Sequence, residues 1–127
     1  MMSAIGTLVV DDHEMVARAI ADAFEHRPEF ELVGVATTIA EGLALAASPA
    51  VDLVVTDMRL PDGEVVDHVW RFRDASPTAR ILVMTGMATD RSVLAALRAG
   101  VDGYVDKSRP LAELLASAQR VVAGDLV

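Results

Sequence analysis

The sequence predicts an α/β fold, a doubly wound parallel sheet of five strands with helices on both faces. Three observations predict it. Short β-branched runs alternate with segments of helical spacing along the whole chain. Two of the runs, Asp52 to Thr56 and Ile81 to Met84, are almost continuously apolar, as strands buried on both faces must be. The breakers Pro28, Ser48-Pro49, Leu60-Pro61-Asp62-Gly63, Ser76-Pro77 and Gly100 fall between the runs.

Taken in order, Leu8-Val9-Val10 forms the first strand and ends at Asp11-Asp12. Val16, Ile20 and Phe24 then recur every four residues with Ala19 and Ala23 beside them, an amphipathic helix ending near Pro28. Phe30 to Ala36 alternates as a second strand, and Ile39 to Ala47 follows as a second helix stopped by Ser48-Pro49. The third strand, Asp52 to Thr56, ends at Asp57. Leu60-Pro61-Asp62-Gly63 marks a turn into a third helix that places Val66, Val69 or Trp70, and Arg73 on successive turns before Ser76-Pro77. The fourth strand, Ile81 to Met84, ends at Thr85. Asp90 caps or opens a fourth helix through Val93, Leu94 and Leu97, and Gly100 ends it. Val101 to Val105 is the fifth strand, followed by Asp106 and Lys107. Pro110 starts the last helix, with Leu111, Leu114, Leu115, Ala118, Val121 and Val122 on one side and Gly124 at its end. Right-handed crossovers favour the flavodoxin-like strand order 2-1-3-4-5, which sets strands one and three at the switch point where ligands bind.

Composition narrows the functions. The 127 residues suit one domain, and 53% of them are hydrophobic, which excludes a disordered chain. A formal charge of -8 disfavours direct contact with a nucleic-acid backbone. Without cysteine there is no disulfide, thiolate nucleophile or cysteine-held metal. No signal peptide or membrane span is visible, so a cytoplasmic location is the default expectation.

The strand ends carry the chemistry. A carboxylate at the mouth of a sheet, such as Asp57, can attack phosphorus and hold an acyl phosphate, although an aspartate after a strand commonly caps a helix. Asp11 and Asp12 repel each other unless a cation sits beside them. Magnesium, which takes oxygen ligands, is the natural one; the alternative is that either residue caps the first helix. Lys107 offers a compact charge for the acid cluster and for phosphoryl oxygens, and Thr85 a hydroxyl donor. Alone, each reads as a solvated lysine or a strand-end threonine. The spacing of His13, His26 and His68 makes no metal site; His13 is expected on the rim by the acid pair, the other two on the surface. Trp70 is expected to serve packing.

Together these stretches resemble the receiver domain of bacterial two-component response regulators across positions 1–127. The matching residues are Val9-Val10-Asp11-Asp12-His13, Val55 to Gly63, Val83-Met84-Thr85-Gly86 and Gly100 to Ser108. The Asp-Asp-His start and the Gly-Tyr-Val-Asp-Lys-Ser close look most like the subfamily with a LuxR-type (NarL/FixJ-like) output. The resemblance implies that Asp57 accepts phosphoryl from a histidine kinase. It further implies that Asp12, Asp57 and the backbone carbonyl of Arg59 bind Mg2+ with Asp11 assisting. Lys107 and Thr85 would bind phosphoryl oxygens, and Tyr104 would turn inward as Thr85 moves; ordinary strand packing is the other reading of Tyr104. Four positions depart from or colour the pattern. Val65 stands where a second glycine is frequent, Gly86 where alanine or serine is, and Arg59 and Met87 flank the crevice.

The leading expectation is therefore a signalling switch whose own chemistry is limited to phosphorylation and autodephosphorylation at Asp57. It controls an output, through a phosphorylation-dependent homodimer or through DNA bound by a domain beyond this chain. Its contact surface would be the fourth and fifth helices with the fifth strand, or the first and fifth helices. A receiver-like interaction module that takes no phosphate is the alternative. An aspartyl-phosphate hydrolase is a third, opposed by Arg59, which stands where such enzymes need a second acid. The end at Leu126-Val127 is read as a truncation.

Overall fold

A computed structural model describes residues 4–86 and 89–124. Five parallel strands form one sheet: β1 (Ile5–Val10), β2 (Phe30–Ala36), β3 (Leu53–Asp57), β4 (Arg80–Thr85) and β5 (Gly103–Asp106), in the order β2-β1-β3-β4-β5. Five α-helices connect or follow them: α1 (Glu14–Glu25), α2 (Ile39–Ala46), α3 (Val69–Ala75), α4 (Asp90–Ala99) and α5 (Leu111–Val122). The expected class and strand order are both found.

Pleating divides the strand side chains between two cores, because successive residues point to opposite faces. Val54, Ile81 and Val83 join Ile39 of α2, Val69 and Phe72 of α3 and Ala96 of α4. Leu53, Val55, Leu82 and Met84 join Ile20 and Phe24 of α1 and Leu114, Leu115, Ala118 and Val121 of α5. That division explains why the middle of the central strands, Leu53 to Val55 and Ile81 to Met84, is apolar at every position. On the α1 side, Phe24 and Phe30 meet edge to face with centroids 4.8 Å apart, a favoured aromatic geometry.

The stretch after β3 departs from expectation. Arg59–Leu60 and Gly63–Glu64 pair as a two-residue antiparallel hairpin, and a single 3-10 turn, Val65–Asp67, precedes α3. The third helix therefore begins at Val69, and Val66 lies in the 3-10 turn before it. Val65 is fully buried and its amide donates to Met58 O, so valine at this position anchors the turn in the core. Trp70 is 68% exposed; Val69 and Phe72, three apart, take the inward face instead. Asp62 was read only as part of a turn. Its carboxylate accepts the amides of Ile39 and Ala40 at 2.8 and 3.1 Å and so caps α2 from the hairpin, with Thr38 capping from the chain itself. These amide bonds, led by that of Ile39, hold the Asp62 carboxyl below the ordinary value.

α4 is opened by Thr89 and Ser92 in a reciprocal capping box, so Asp90 is its first residue and not its cap. Gly100 ends it in the left-handed region with φ 91°. At that end of the sheet Arg73 donates to Ala79 O, Gly100 O and Asp102 Oδ2 at 2.8, 2.7 and 2.7 Å. Asp102 Oδ2 also accepts the Ile81 amide. One guanidinium fork thus ties α3 to the starts of β4 and β5. Arg73→Ala is expected to cost about 2 kcal/mol in urea unfolding, because three carbonyl or carboxylate acceptors lose a charged donor. Arg73→Lys should recover only part of it, since an ammonium lacks the planar fork.

Candidate functional site

The site lies where β1 and β3 deliver their C-terminal ends, at the switch point of the sheet. β1 pairs with β3 in register, Val10 opposite Thr56, so the next residues of both strands emerge side by side. Asp11 is fully buried, with its amide donating to Ala36 O. Asp57 is 6% exposed and Asp12 is exposed. β5 delivers Lys107, whose amide donates to Thr85 O at 2.7 Å and so locks the ends of β4 and β5 together.

Lys107 Nζ donates to Asp11 Oδ2 at 2.9 Å and to Asp57 Oδ2 at 3.1 Å. Asp57 Oδ1 accepts the Met58 amide at 2.9 Å. Burial pushes the Asp57 carboxyl above its ordinary value, with Lys107 pulling against that shift. Burial also acts to lower Lys107, but its bonds and proximity to Asp11 and Asp57 outweigh burial and the ammonium is held.

His13 lies on the rim by the acid pair, as expected, and its ring reaches the carboxylates. It sits at the N-cap of α1 without a side-chain capping bond, and neither aspartate supplies one, against the helix-cap alternative for the acid pair. Its amide and its Nδ1 both reach Asp11 Oδ1 at 2.9 Å. Nδ1 also lies 3.5 Å from Asp12 Oδ1 and 3.4 Å from Asp57 Oδ2. The hydrogen bond to Asp11 raises the His13 pKa, against the charge of Lys107. One ligand atom from each of Asp11, Asp12, His13 and Asp57 lies within 4.8 Å of the others, a set able to hold a divalent ion.

Thr85, Gly86, Met58 and Arg59 line the same crevice as Asp12, His13 and Asp57. The Arg59 side chain is exposed and pairs with Glu64 at 3.3 Å. A Cβ on Gly86 would meet nothing within 4 Å, so glycine is not required there for space. Tyr104 is half-buried against the α2–α3–α4 core, and its hydroxyl bonds the Ser92 hydroxyl of α4 at 2.9 Å. Met87 lies outside the described residues. His26 bonds its own helix at Asp22 O and His68 faces Arg71, both apart from the site.

The pairing of Lys107 with Asp11 and Asp57 has a measurable cost if broken. Lys107→Ala is expected to lose roughly 2 kcal/mol at neutral pH, because a fully buried carboxylate and its neighbour lose their cation. The loss should shrink as pH falls and Asp57, whose carboxyl burial holds above its ordinary value, protonates, which thermal melts at pH 7 and pH 4 would show.

Residues 7–119 match the model of the response regulator receiver domain. The chain belongs to that family. Over 120 residues the receiver is 35% identical to the DNA-binding transcriptional activator DevR/DosR of Mycobacterium tuberculosis, covering 94% of this chain and 55% of that protein. It is 29% identical to the nitrate/nitrite response regulator NarL of Escherichia coli, covering 94% of the receiver and 56% of NarL. The chain thus spans little more than half the length of these relatives. Among solved structures, a LuxR-family two-component response regulator from Aurantimonas superposes with TM-score 0.90 at 31% identity, covering 98% of the receiver and 89% of that chain. A response regulator from Burkholderia pseudomallei superposes with TM-score 0.81 at 28% identity over 94% of the receiver and 69% of that chain. It carries a phosphorylated aspartic acid, a calcium ion and citrate. The receiver is a NarL-like signalling domain of the phosphoacceptor kind. No helix among its described residues is long and apolar enough to cross a membrane.

Proposed function

We propose that Asp57 is the phosphoacceptor, and that residues 1–127 act as one cytoplasmic receiver domain loaded by a histidine kinase. The observation that carries this reading is Lys107 Nζ, bonded to both Asp57 and Asp11 where the acid group opens to the crevice. Asp57 Oδ2 attacks phosphorus; the new O–P bond forms as the bond to the donor's histidine nitrogen breaks, and the electron pair leaves with that nitrogen. Lys107 exchanges a carboxylate contact for a phosphoryl oxygen, and the Thr85 hydroxyl donates to a second one. Asp12, Asp57, Asp11 and the Arg59 carbonyl would hold Mg2+, which when bound would neutralise charge on the transferring group. Tyr104 reports the change through Ser92, because its hydroxyl bridges β5 to α4 and it lies opposite Val83, two residues before Thr85 on β4. The output is DNA control by a further domain, as the description of DevR/DosR suggests, or a phosphorylation-dependent homodimer, and the receiver's own chemistry ends at self-phosphorylation and autodephosphorylation.

Intact mass tests the assignment. Acetyl phosphate with Mg2+ is expected to add one phosphoryl group to the wild type. An unchanged wild-type mass, with no beryllofluoride binding, overturns the reading in favour of an interaction module without phosphate. A hydrolase has no support in the geometry: Arg59, where the second acid would be needed, is turned to Glu64.

A further inference from the structure

We propose that His13 supplies a nitrogen ligand to the divalent ion at this site, turning its selectivity toward nitrogen-seeking first-row ions such as Zn2+, Ni2+ and Co2+. The inference rests on the reading of the acid group as a metal site and adds a donor that the oxygen set lacks.

Geometry is the first support. Ligand atoms about 2.1 Å from one small ion lie roughly 3.0 Å apart across an octahedral edge and roughly 3.4 Å across a tetrahedral one. His13 Nδ1 lies 2.9, 3.4 and 3.5 Å from oxygens of Asp11, Asp57 and Asp12. Those are the spacings of ligands around a single ion, so no large movement is needed to bring the imidazole into the shell. The backbone holds the ring there. His13 is the extended N-cap residue of α1, φ -85° and ψ 100°, and its amide is bonded to the same Asp11 oxygen that its ring faces.

Charge and donor chemistry are the second support. Three carboxylates against the Lys107 ammonium leave two negative charges, which suits a divalent ion. Mg2+ binds oxygen, keeps several waters and gains little from imidazole. Affinity for an imidazole nitrogen instead rises along the first row toward nickel, copper and zinc. A nitrogen placed among three oxygens therefore strengthens the later ions selectively. In the metal-free site Nδ1–H donates to Asp11; for the ring to ligate, that proton leaves to solvent and the ring is held as the neutral Nε2–H tautomer, so that the freed Nδ1 lone pair faces the ion.

Titration calorimetry of the wild type and His13→Ala with Ni2+, Zn2+ and Mg2+ tests this. The nickel and zinc affinities are expected to fall about tenfold further than the magnesium affinity when the ring is removed. In parallel, Zn2+ added to 15N-labelled wild-type protein should move the His13 Nδ1 resonance to that of a ligated imidazole nitrogen, a readout that needs no variant. Equal losses for all three ions, or an unmoved Nδ1 resonance at saturating zinc, overturns the proposal. The wild-type mass gain in acetyl phosphate and Mg2+ reports separately on Asp57. If that gain appears while the nitrogen signal stays put, only the role of His13 falls. If neither appears, the metal site itself falls.

Discussion

Asp57→Asn is expected to gain no phosphoryl mass in acetyl phosphate and Mg2+ and, in EDTA, to melt at a higher temperature than the wild type. The first outcome follows from chemistry, because an amide cannot attack phosphorus as a carboxylate does. The second follows from electrostatics. Burial, with Asp11 adding like charge, raises the Asp57 carboxyl above its ordinary value even though Lys107 opposes the shift. Between the ordinary and the raised value the folded protein holds a proton that the unfolded chain has lost, so stability falls as pH rises through that window. An ionised Asp57 at neutral pH is therefore a cost carried by the metal-free fold. Asparagine removes the charge and keeps the shape, and Lys107 retains Asp11 as its partner at 2.9 Å. The gain should fade as pH falls to the ordinary aspartate value, below which the wild-type residue is neutral in both states. Calorimetric melts of both proteins at pH 7.5 and pH 4 measure it. A variant less stable than wild type at pH 7.5 would mean that the Lys107 pair outweighs the desolvation of Asp57.

The meeting of Asp11, Asp57 and Lys107 was legible in the sequence because it depends on few things. Each follows an apolar run, parallel strands end on one edge, and the strand order puts β1 beside β3. Period-two and period-3.6 patterns are long enough in those elements to fix both type and position. The rim position of His13 was legible too, but the contact of its ring with all three carboxylates was not. It depends on one backbone residue staying extended before α1 and on one ring orientation, and neither leaves a periodic trace. The hairpin at residues 59–64 was hidden for a similar reason, since two-residue pairings are shorter than any period. Val69 and Trp70 are adjacent and both apolar. Only the packed partner, Phe72 three residues on, decides which of them turns inward. The Arg73–Asp102 pair joins residues 29 apart across two elements, which local spacing cannot reveal.

Gly6→Ala is expected to be the most damaging single methyl in the chain. An added Cβ would lie 1.6 Å from Ala50 O and 2.8 Å from Ala50 C, both backbone atoms. Neither can swing aside as a side-chain tip could. The conflict falls where β1 is bonded to the segment leading into β3. The Gly6 amide donates to Asp52 Oδ2 at 2.9 Å, and the Asp52 amide donates to Gly6 O at 2.7 Å. Moving the Ala50 segment away strains or breaks both bonds and disturbs the start of the β1–β3 ladder, Thr7 opposite Leu53. Overpacking and the two lost bonds together should cost about 3 kcal/mol or more, a fall in Tm on the order of 10 °C. Gly34→Ala is the matched control in β2. There the new Cβ meets only the Leu45 Cδ1 tip at 3.3 Å, which can give way, so its Tm should fall by much less. Equal melting temperatures for the two variants would mean that the Ala50 turn yields without loss, and that close approach is not the reason for glycine at position 6. Because Gly6 lies at the opposite end of β1 from Asp11, Gly6→Ala should lose phosphoryl uptake only in proportion to the fraction unfolded. Mass spectrometry below the melting transition separates that from damage at the acid site.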